Sequence, residues 1–348
     1  MSALDARMAA QRLAFGPVVF FATNALLELG LLKRIWEAGE SGISSAELAS
    51  FSHISEYGVS VLCESALSAG ILEREGLALR CSKLGHFLLH DPMTRANFEF
   101  VRDVCYTALP ALTDSIRDGK PHGLAALGGG STIYETLLAL PAGTRNSWLR
   151  FDHFYSDAAF GAAVTKVFAH EPRTILDVGA NTGRFARICL EHDAEVELWL
   201  VDHAPQLEHA KSSLAELGFA ARVQTFTRDL LDPELQLPGP VNIVWLSQVL
   251  DCLPPANACS VLTKAREALA PGGRLFVLEP CTDLQPHPAG AFCLNQTSLY
   301  FACLANGTSR MYDSGTLQSW FAQTGFVLVA RHDGLGYGHS LFECARAE

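Results

Sequence analysis

Three carboxylates stand where apolar runs end: Asp177 in TILDVGA, Asp202 closing ELWLVD, and Asp229 in VQTFTRD. Between the first two lies Gly179-Ala180-Asn181-Thr182-Gly183, whose glycines belong where backbone must come close to a ligand. The spacing is GxxxG after an acid, not GxGxxG, and no GK[ST] follows, so gripping phosphate is not the expected task.

Asp202 falls about 19 residues after Gly183, where a carboxylate can accept both ribose hydroxyls of an adenosine, with His203 beside it. Asp229 is then placed to take the adenine amino group and Leu230 to cover the ring. A nucleoside site without a pyrophosphate grip points to S-adenosylmethionine. A plain strand-to-helix turn would explain the glycines, but not three acids in register. Ser247 and Gln248 end the next apolar run, VNIVWLS, where groups beside a sulfonium would stand; simple strand-end capping explains them equally well.

The elements that must position these residues alternate from about residue 173 onward: strand, loop, helix, with helices expected at 184–192, 205–217 and 256–269 and a further strand at RLFVLEP. Alternating β and α means a parallel sheet. The end differs, because FVLVARHD and GHSLFECA read as an antiparallel edge hairpin after a helix over 314–324.

Residues 15–89 read as helices, the first an apolar run over 17–32 expected to be buried, the second opened by the Ser44-Ser45 cap with Glu47 behind it. ILEREGLALRC then turns at Glu75-Gly76 as a small hairpin, giving a winged-helix pattern. The predicted organisation is a winged-helix-like dimerisation domain at 1–100, a helical connector lining the pocket at 101–168, and an α/β catalytic domain at 169–348 with a mostly parallel, seven-stranded, Rossmann-like sheet.

The net charge of -11 argues against nucleic acid and against an anionic membrane surface, and residues 1–110 carry more acids than bases. Ten scattered cysteines without a CxxC pair fit reduced thiols in a cytoplasm, and no metal-ligand spacing occurs. The first residues lack an apolar signal core, and the 17–32 run holds Glu28 and is too short to span a bilayer. A cytoplasmic protein without membrane or nucleic-acid partners is expected.

Taken together, ILDVGANTG, LVDHAPQ, TRDLLDP, IVWLSQVLDCLPP, EALAPGGRLFVLEP and LQSWFAQTGFVLV resemble the class I S-adenosylmethionine-dependent methyltransferases, in particular the two-domain small-molecule O-methyltransferases with an N-terminal dimerisation domain. The resemblance spans nearly the whole chain. It implies S-adenosylmethionine as cofactor, a homodimer, and methylation of a small aromatic acceptor in secondary metabolism.

It also marks departures. The family's catalytic histidine position, in a pattern like LHDW, is Asp251 here, and its supporting carboxylate falls on Met311. An aspartate near its ordinary pKa of about 4 is a weak base for a phenol near 10 unless burial raises it. His153 in FDHFYSD is the preferred substitute, ahead of His287, His332 and His339, since the family's corresponding helix borders both cofactor and acceptor. Its neighbours Phe151 and Tyr155 could stack on an aromatic ring. Asn306 matches an acceptor-contacting asparagine, or else caps a helix end. Residues 292–312 have the composition of an apolar ligand pocket, or of core.

Methylation at a phenolic oxygen leads, with attack by an activated ring carbon beside it. FDHFYSD and SLYFACLANG look like a bacterial subgroup associated with aryl-polyene pigments, which implies a 4-hydroxyphenyl acceptor. Thiol methylation, which needs little general base, and a cofactor-binding regulator without transferase activity are the alternatives.

Overall fold

A computed structural model describes residues 1–348, the side chain of Leu138 excepted. The chain forms two compact units, Met1–Phe98 and Glu99–Glu348.

The first unit is built from helices Ala3–Ala14, Gly16–Glu28, Leu31–Glu37, Ser45–Ser52, Glu56–Ser68 and Lys83–His90, with the antiparallel strands β1 (Leu72–Glu75) and β2 (Ala78–Cys81). Ser44 and Glu47 form the anticipated reciprocal cap, each side chain bonding to the other's backbone N–H. Leu26, Leu32, Ile35, Leu48, Val59 and Leu79 share one core.

Residues 17–32, expected as one buried helix, are divided at Gly30, whose φ of +68° only glycine adopts at no cost. The apolar run is not all buried either: Val18 is 60% and Phe21 50% exposed. A further helix, Ala3–Ala14, precedes it and buries no residue, so it has no core-facing stripe by which to be read. Leu4, Leu13 and Phe15 are likewise exposed, and together these side chains leave an apolar surface uncovered.

The second unit carries a seven-stranded sheet of β3 (Thr174–Val178), β4 (Glu197–Asp202), β5 (Val223–Thr227), β6 (Val241–Ser247), β7 (Leu269–Glu279), β8 (Phe326–Leu335) and β9 (His339–Arg346). Their order is β5-β4-β3-β6-β7-β9-β8, parallel except that β9 pairs antiparallel with both β7 and β8. The chain builds outward from β3 to β5, then returns to the other side of β3 with β6. That reversal opens a crevice at the carboxyl ends of β3 and β6, the place where open α/β sheets bind ligands.

Because parallel strands are covered on both faces, their sequences are nearly continuous apolar runs. One face packs Leu176, Val244 and Leu246 against helices Pro255–Ala268 and Ser314–Gln323. The other packs Ile175, Leu200 and Trp245 against helices Ala142–Phe168, Arg184–His192 and Ala204–Glu216. A third core, with Phe100, Ile133, Trp148, Tyr300 and Met311, lies apart from both.

Two helices of this third core widen into π turns at their ends, Val101–Cys105 and Phe301–Ala305. Such widened turns break helical register and re-aim side chains, and they recur at functional sites.

Phe342 on β9 is fully buried, with its ring centroid 5.6 Å from that of Phe321. Phe342→Ala should cost about 3–4 kcal/mol of stability, measured by urea unfolding, since the surrounding sheet and helix cannot collapse into the space. A loss below about 1 kcal/mol would show that the hairpin is not part of the cooperative core.

Candidate functional site

The loop after β3 sits at the crevice. Gly179 has φ +76°, and a Cβ there would lie 2.5 Å from Val249 Cγ2, so no side chain fits between the loop and the segment after β6. Asn181 is also left-handed, at φ +48°. Its N–H donates to Asp202 Oδ2 at 2.8 Å, while the His203 N–H donates to Asp202 Oδ1 at 2.7 Å. Each Asp202 oxygen thus takes one backbone bond and keeps a further acceptor position. Gly183, at φ +77°, opens helix Arg184–His192, and a Cβ there would lie 3.1 Å from Ala210 Cβ.

One cavity gathers Asp177, Gly179, Asn181, Asp202 and His203. From the next strand ends Asp229, Leu230, Ser247 and Gln248 join it. Asp229 Oδ1 accepts the Leu231 N–H at 2.9 Å, which curls the loop after β5 toward the crevice. Gln248 is left-handed at φ +51°, with its Oε1 2.9 Å from Nε2 of the buried His339. Gly183 lies outside this cavity, in an adjoining groove that shares His153 and Arg184 with it.

The same cavity continues into an aromatic end. Phe100 and Phe151 stack with centroids 4.0 Å apart, and Trp148 Nε1 donates to Tyr300 Oη at 2.7 Å. Thr297, Phe301 and Met311 complete the wall, so the apolar composition of 292–312 serves the cavity as well as the core. Asp251 and Cys252, on the turn after β6, line the same cavity.

Buried carboxyls dominate the electrostatics. Burial raises Asp177 to about 8, with the Asp202 charge adding to it, and raises Asp251 to about 7. Asp152, which accepts a bond from Asn181 Nδ2 at 3.0 Å, is pushed to about 7 by burial and then by the Asp251 charge. Asp202 is raised as well, by burial. Glu279 at the end of β7 is driven well above its usual range by burial, although its Oε1 accepts the N–H groups of Val249 and Leu250 at 3.0 and 2.9 Å and so fixes the Asp251 turn. Burial acts on histidine in the opposite sense, lowering His153 to about 4.

Several buried polar atoms have no partner within the chain: Asp177 Oδ2, Asp251 Oδ1, Ser247 Oγ and Gln206 Oε1, all on residues lining the cavity. Unpartnered buried acceptors beside carboxylates are costly unless a ligand supplies donors and positive charge. A nucleoside carrying a sulfonium and an ammonium does both, and the glycine loop leaves the close approach it needs.

The description "Methyltransferase domain" matches residues 151–331, more than half of the chain. The chain belongs to the S-adenosylmethionine-dependent methyltransferases. Ahead of this methyltransferase domain, residues 7–76 match a Dimerisation2-like domain.

Among named relatives, aclacinomycin 10-hydroxylase RdmB of Streptomyces purpurascens is 30% identical over 69% of this methyltransferase, and the match spans 64% of RdmB, a little under two thirds of its length. Acetylserotonin O-methyltransferase of Mus musculus is 25% identical over 83% of the chain and 77% of its own length. The solved mitomycin 7-O-methyltransferase MmcR shares the fold with a TM-score of 0.76 at 18% identity, covering 99% of this chain and 98% of MmcR.

The structure brings all but three of the anticipated residues of this methyltransferase into one cavity. Gly183 is the first exception, acting at the helix start. Tyr155 does not line the cavity; its ring lies edge-on to Phe154, 5.5 Å away, and to Phe151, 5.3 Å away. Asn306 does not line it either: its Nδ2 donates to the Cys252 carbonyl and its Oδ1 accepts the N–H groups of Thr308 and Ser309. That is the helix-end role, and the amide is spent on backbone.

His153 does line the cavity, but its ring nitrogens lie 3.2 Å from Thr182 Oγ1 and 3.4 Å from an Arg184 nitrogen. Of the other histidines, His287 caps helix Pro288–Tyr300 and His339 bonds to Gln248. Asp152, Glu279 and Tyr134 escaped the sequence reading. Asp152 stands directly before His153 and Glu279 ends a strand motif, but nothing in either string marks a buried carboxyl.

The raised carboxyls set a pH dependence. Asp152, Asp177 and Asp251 bind protons more tightly folded than unfolded, so their contribution to stability falls as pH rises from about 4 to about 8. His153 and His339, both lowered to about 4, act oppositely only below about pH 6.5. Between pH 6.5 and 8 the cofactor-free protein should lose roughly 1–3 kcal/mol, read by thermal unfolding, and S-adenosylmethionine should restore more of it at pH 8 than at pH 6.5. Stability rising across that interval would contradict the carboxyl assignments.

Proposed function

We propose that this enzyme transfers the methyl group of S-adenosylmethionine to a small aromatic acceptor, at a phenolic oxygen or at a ring carbon activated by one. The observation that carries this is Asp251: a buried carboxyl with an unpartnered Oδ1, raised to about 7, lining the one cavity that has both the nucleoside end and the aromatic end. A base whose pKa lies near the working pH is what general-base catalysis asks for. Burial reverses the ranking of the two candidate bases, since it lifts Asp251 to about 7 and drops His153 to about 4.

In this reading Asp177, Asp202, Asp229 and Leu230 hold the nucleoside, and Ser247 and Gln248 border the reacting centre. When bound, S-adenosylmethionine supplies an electrophilic methyl carbon, and the bond pair of the broken C–S bond stays on sulfur. Asp251 accepts the phenolic proton as the oxygen becomes bonded to carbon. Phe151 and its stacked partner Phe100 hold the ring flat, and the aromatic wall excludes water. A 4-hydroxyphenyl group, as in aryl polyenes, has the acidic proton that Asp251 would accept.

The uncovered apolar side chains of helices Ala3–Ala14 and Gly16–Glu28 support a homodimer formed through the winged-helix-like first domain. Among the described residues no helix is long and apolar enough to cross a membrane.

Two measurements test the reading. Calorimetric titration should show S-adenosylmethionine and S-adenosylhomocysteine binding the wild type, and Asp202→Ala should weaken both by about 2–4 kcal/mol through lost ribose bonds. Absence of binding would overturn the methyltransferase reading. Asp251→Asn should lower kcat on a phenolic acceptor at least about 100-fold while leaving S-adenosylhomocysteine affinity within a few fold; unchanged kcat would remove Asp251 from the chemistry.

A further inference from the structure

Two carboxyls, Asp152 and Asp251, line the cavity that also carries the aromatic wall, and a single phenol needs only one. Asp152 reaches the lining from helix Ala142–Phe168, one residue past the Phe151 ring and tied to the cofactor loop through Asn181 Nδ2. Asp251 reaches the same lining from the turn after β6, close enough for its charge to act on Asp152, and its Oδ1 is unpartnered. Near them the buried Tyr134 hydroxyl has the Cys252 thiol as its neighbour.

Positive charge is absent from this end. Among the described residues the lining contains two arginines and no lysine. Arg228 is spent on the Gln236 and Thr227 carbonyls beside β5, and Arg184 pairs with Asp157 at 3.0 Å. The two lining histidines are His153, held against Thr182 and Arg184, and His203, next to the ribose-binding Asp202.

A second buried carboxyl is expensive unless something hydrogen-bonds to it. A ring with one hydroxyl satisfies Asp251 and leaves Asp152 with only the Asn181 amide. A ring carrying its own carboxylate would place a third anion beside the two, with no lysine or arginine to offset it.

We propose that Asp152 and Asp251 form a two-carboxyl clasp for the acceptor, which is an arene bearing two hydrogen-bond donors, hydroxyl or amino, and no carboxylate. This rests on the methyl-transfer reading above and deepens it: Asp251 takes the proton of the group that is methylated, while Asp152 accepts a bond from the second donor and so chooses the acceptor.

The test is calorimetric binding to protein saturated with S-adenosylhomocysteine, using phenol, catechol, hydroquinone, 2-aminophenol and 4-hydroxybenzoate as probes. At least one two-donor arene should bind about tenfold or more tightly than phenol, and 4-hydroxybenzoate should bind more weakly than phenol. Asp152→Asn, with S-adenosylhomocysteine affinity as the check that the cavity is intact, should narrow the gap between 4-hydroxybenzoate and phenol about tenfold.

Equal or tighter binding of 4-hydroxybenzoate by the wild type overturns the clasp, as does a panel in which no two-donor arene exceeds phenol, or an intact Asp152→Asn protein with unchanged ratios. If S-adenosylhomocysteine itself fails to bind, the methyl-transfer reading falls and the clasp falls with it; if it binds and the panel shows no discrimination, only the clasp falls.

Discussion

A single carboxylate, Asp202, holds the cofactor end together. It ends β4, accepts the Asn181 N–H from the loop after β3, and accepts the His203 N–H at the start of its own following loop. Asn181 can stay left-handed because that bond compensates a conformation which a non-glycine residue adopts only at some cost. The loop geometry in turn brings Gly179 against Val249 and lets Asn181 Nδ2 reach Asp152. Two strand ends, the helix start at Gly183 and helix Ala142–Phe168 therefore depend on charges gathered where the sheet reverses its direction of growth.

That gathering is unfavourable in isolation. Asp152, Asp177, Asp202, Asp251 and Glu279 are all raised by burial, and in three of them a neighbouring carboxylate adds to the effect. Such a cavity is preorganised for a cation and pays in stability for being so. A relative named as a hydroxylase and others named as O-methyltransferases share the sequence family, so the fold alone does not fix the reaction. In this chain the turn after β6 carries Asp251, and the Glu279 carboxyl holds that turn by two backbone bonds.

The strand-loop-helix rhythm was legible because buried parallel strands are written as apolar runs ended by glycine or acid, and the candidate cofactor residues sit at those ends. The Ser44 cap and the Glu75-Gly76 hairpin were legible for similarly local reasons. The acceptor end was not. Phe100, Tyr134, Asp152 and Met311 come from distant segments, and their roles follow from packing that no periodicity encodes. Asn306 misled because helix-end asparagines and ligand-binding asparagines look alike in a string. Asp251 and His153 could be named but not ranked, since burial decides which is the better base. The exposed apolar helices at the amino terminus violated the assumption that apolar residues face their own chain's core.

The third core, around Phe100, Trp148, Tyr300 and Met311, is separate from the two that sandwich the sheet. Substitutions there can reshape the aromatic end of the cavity without disturbing the strands that carry Asp177, Asp202 and Ser247, because the packings are separate. The walls of the aromatic end can therefore change through a modest set of residues while the glycine loop and Asp202 keep their packing. The separation of cores is thus a form of modularity, in which one end of a cavity can be repapered while the other is held by its own geometry.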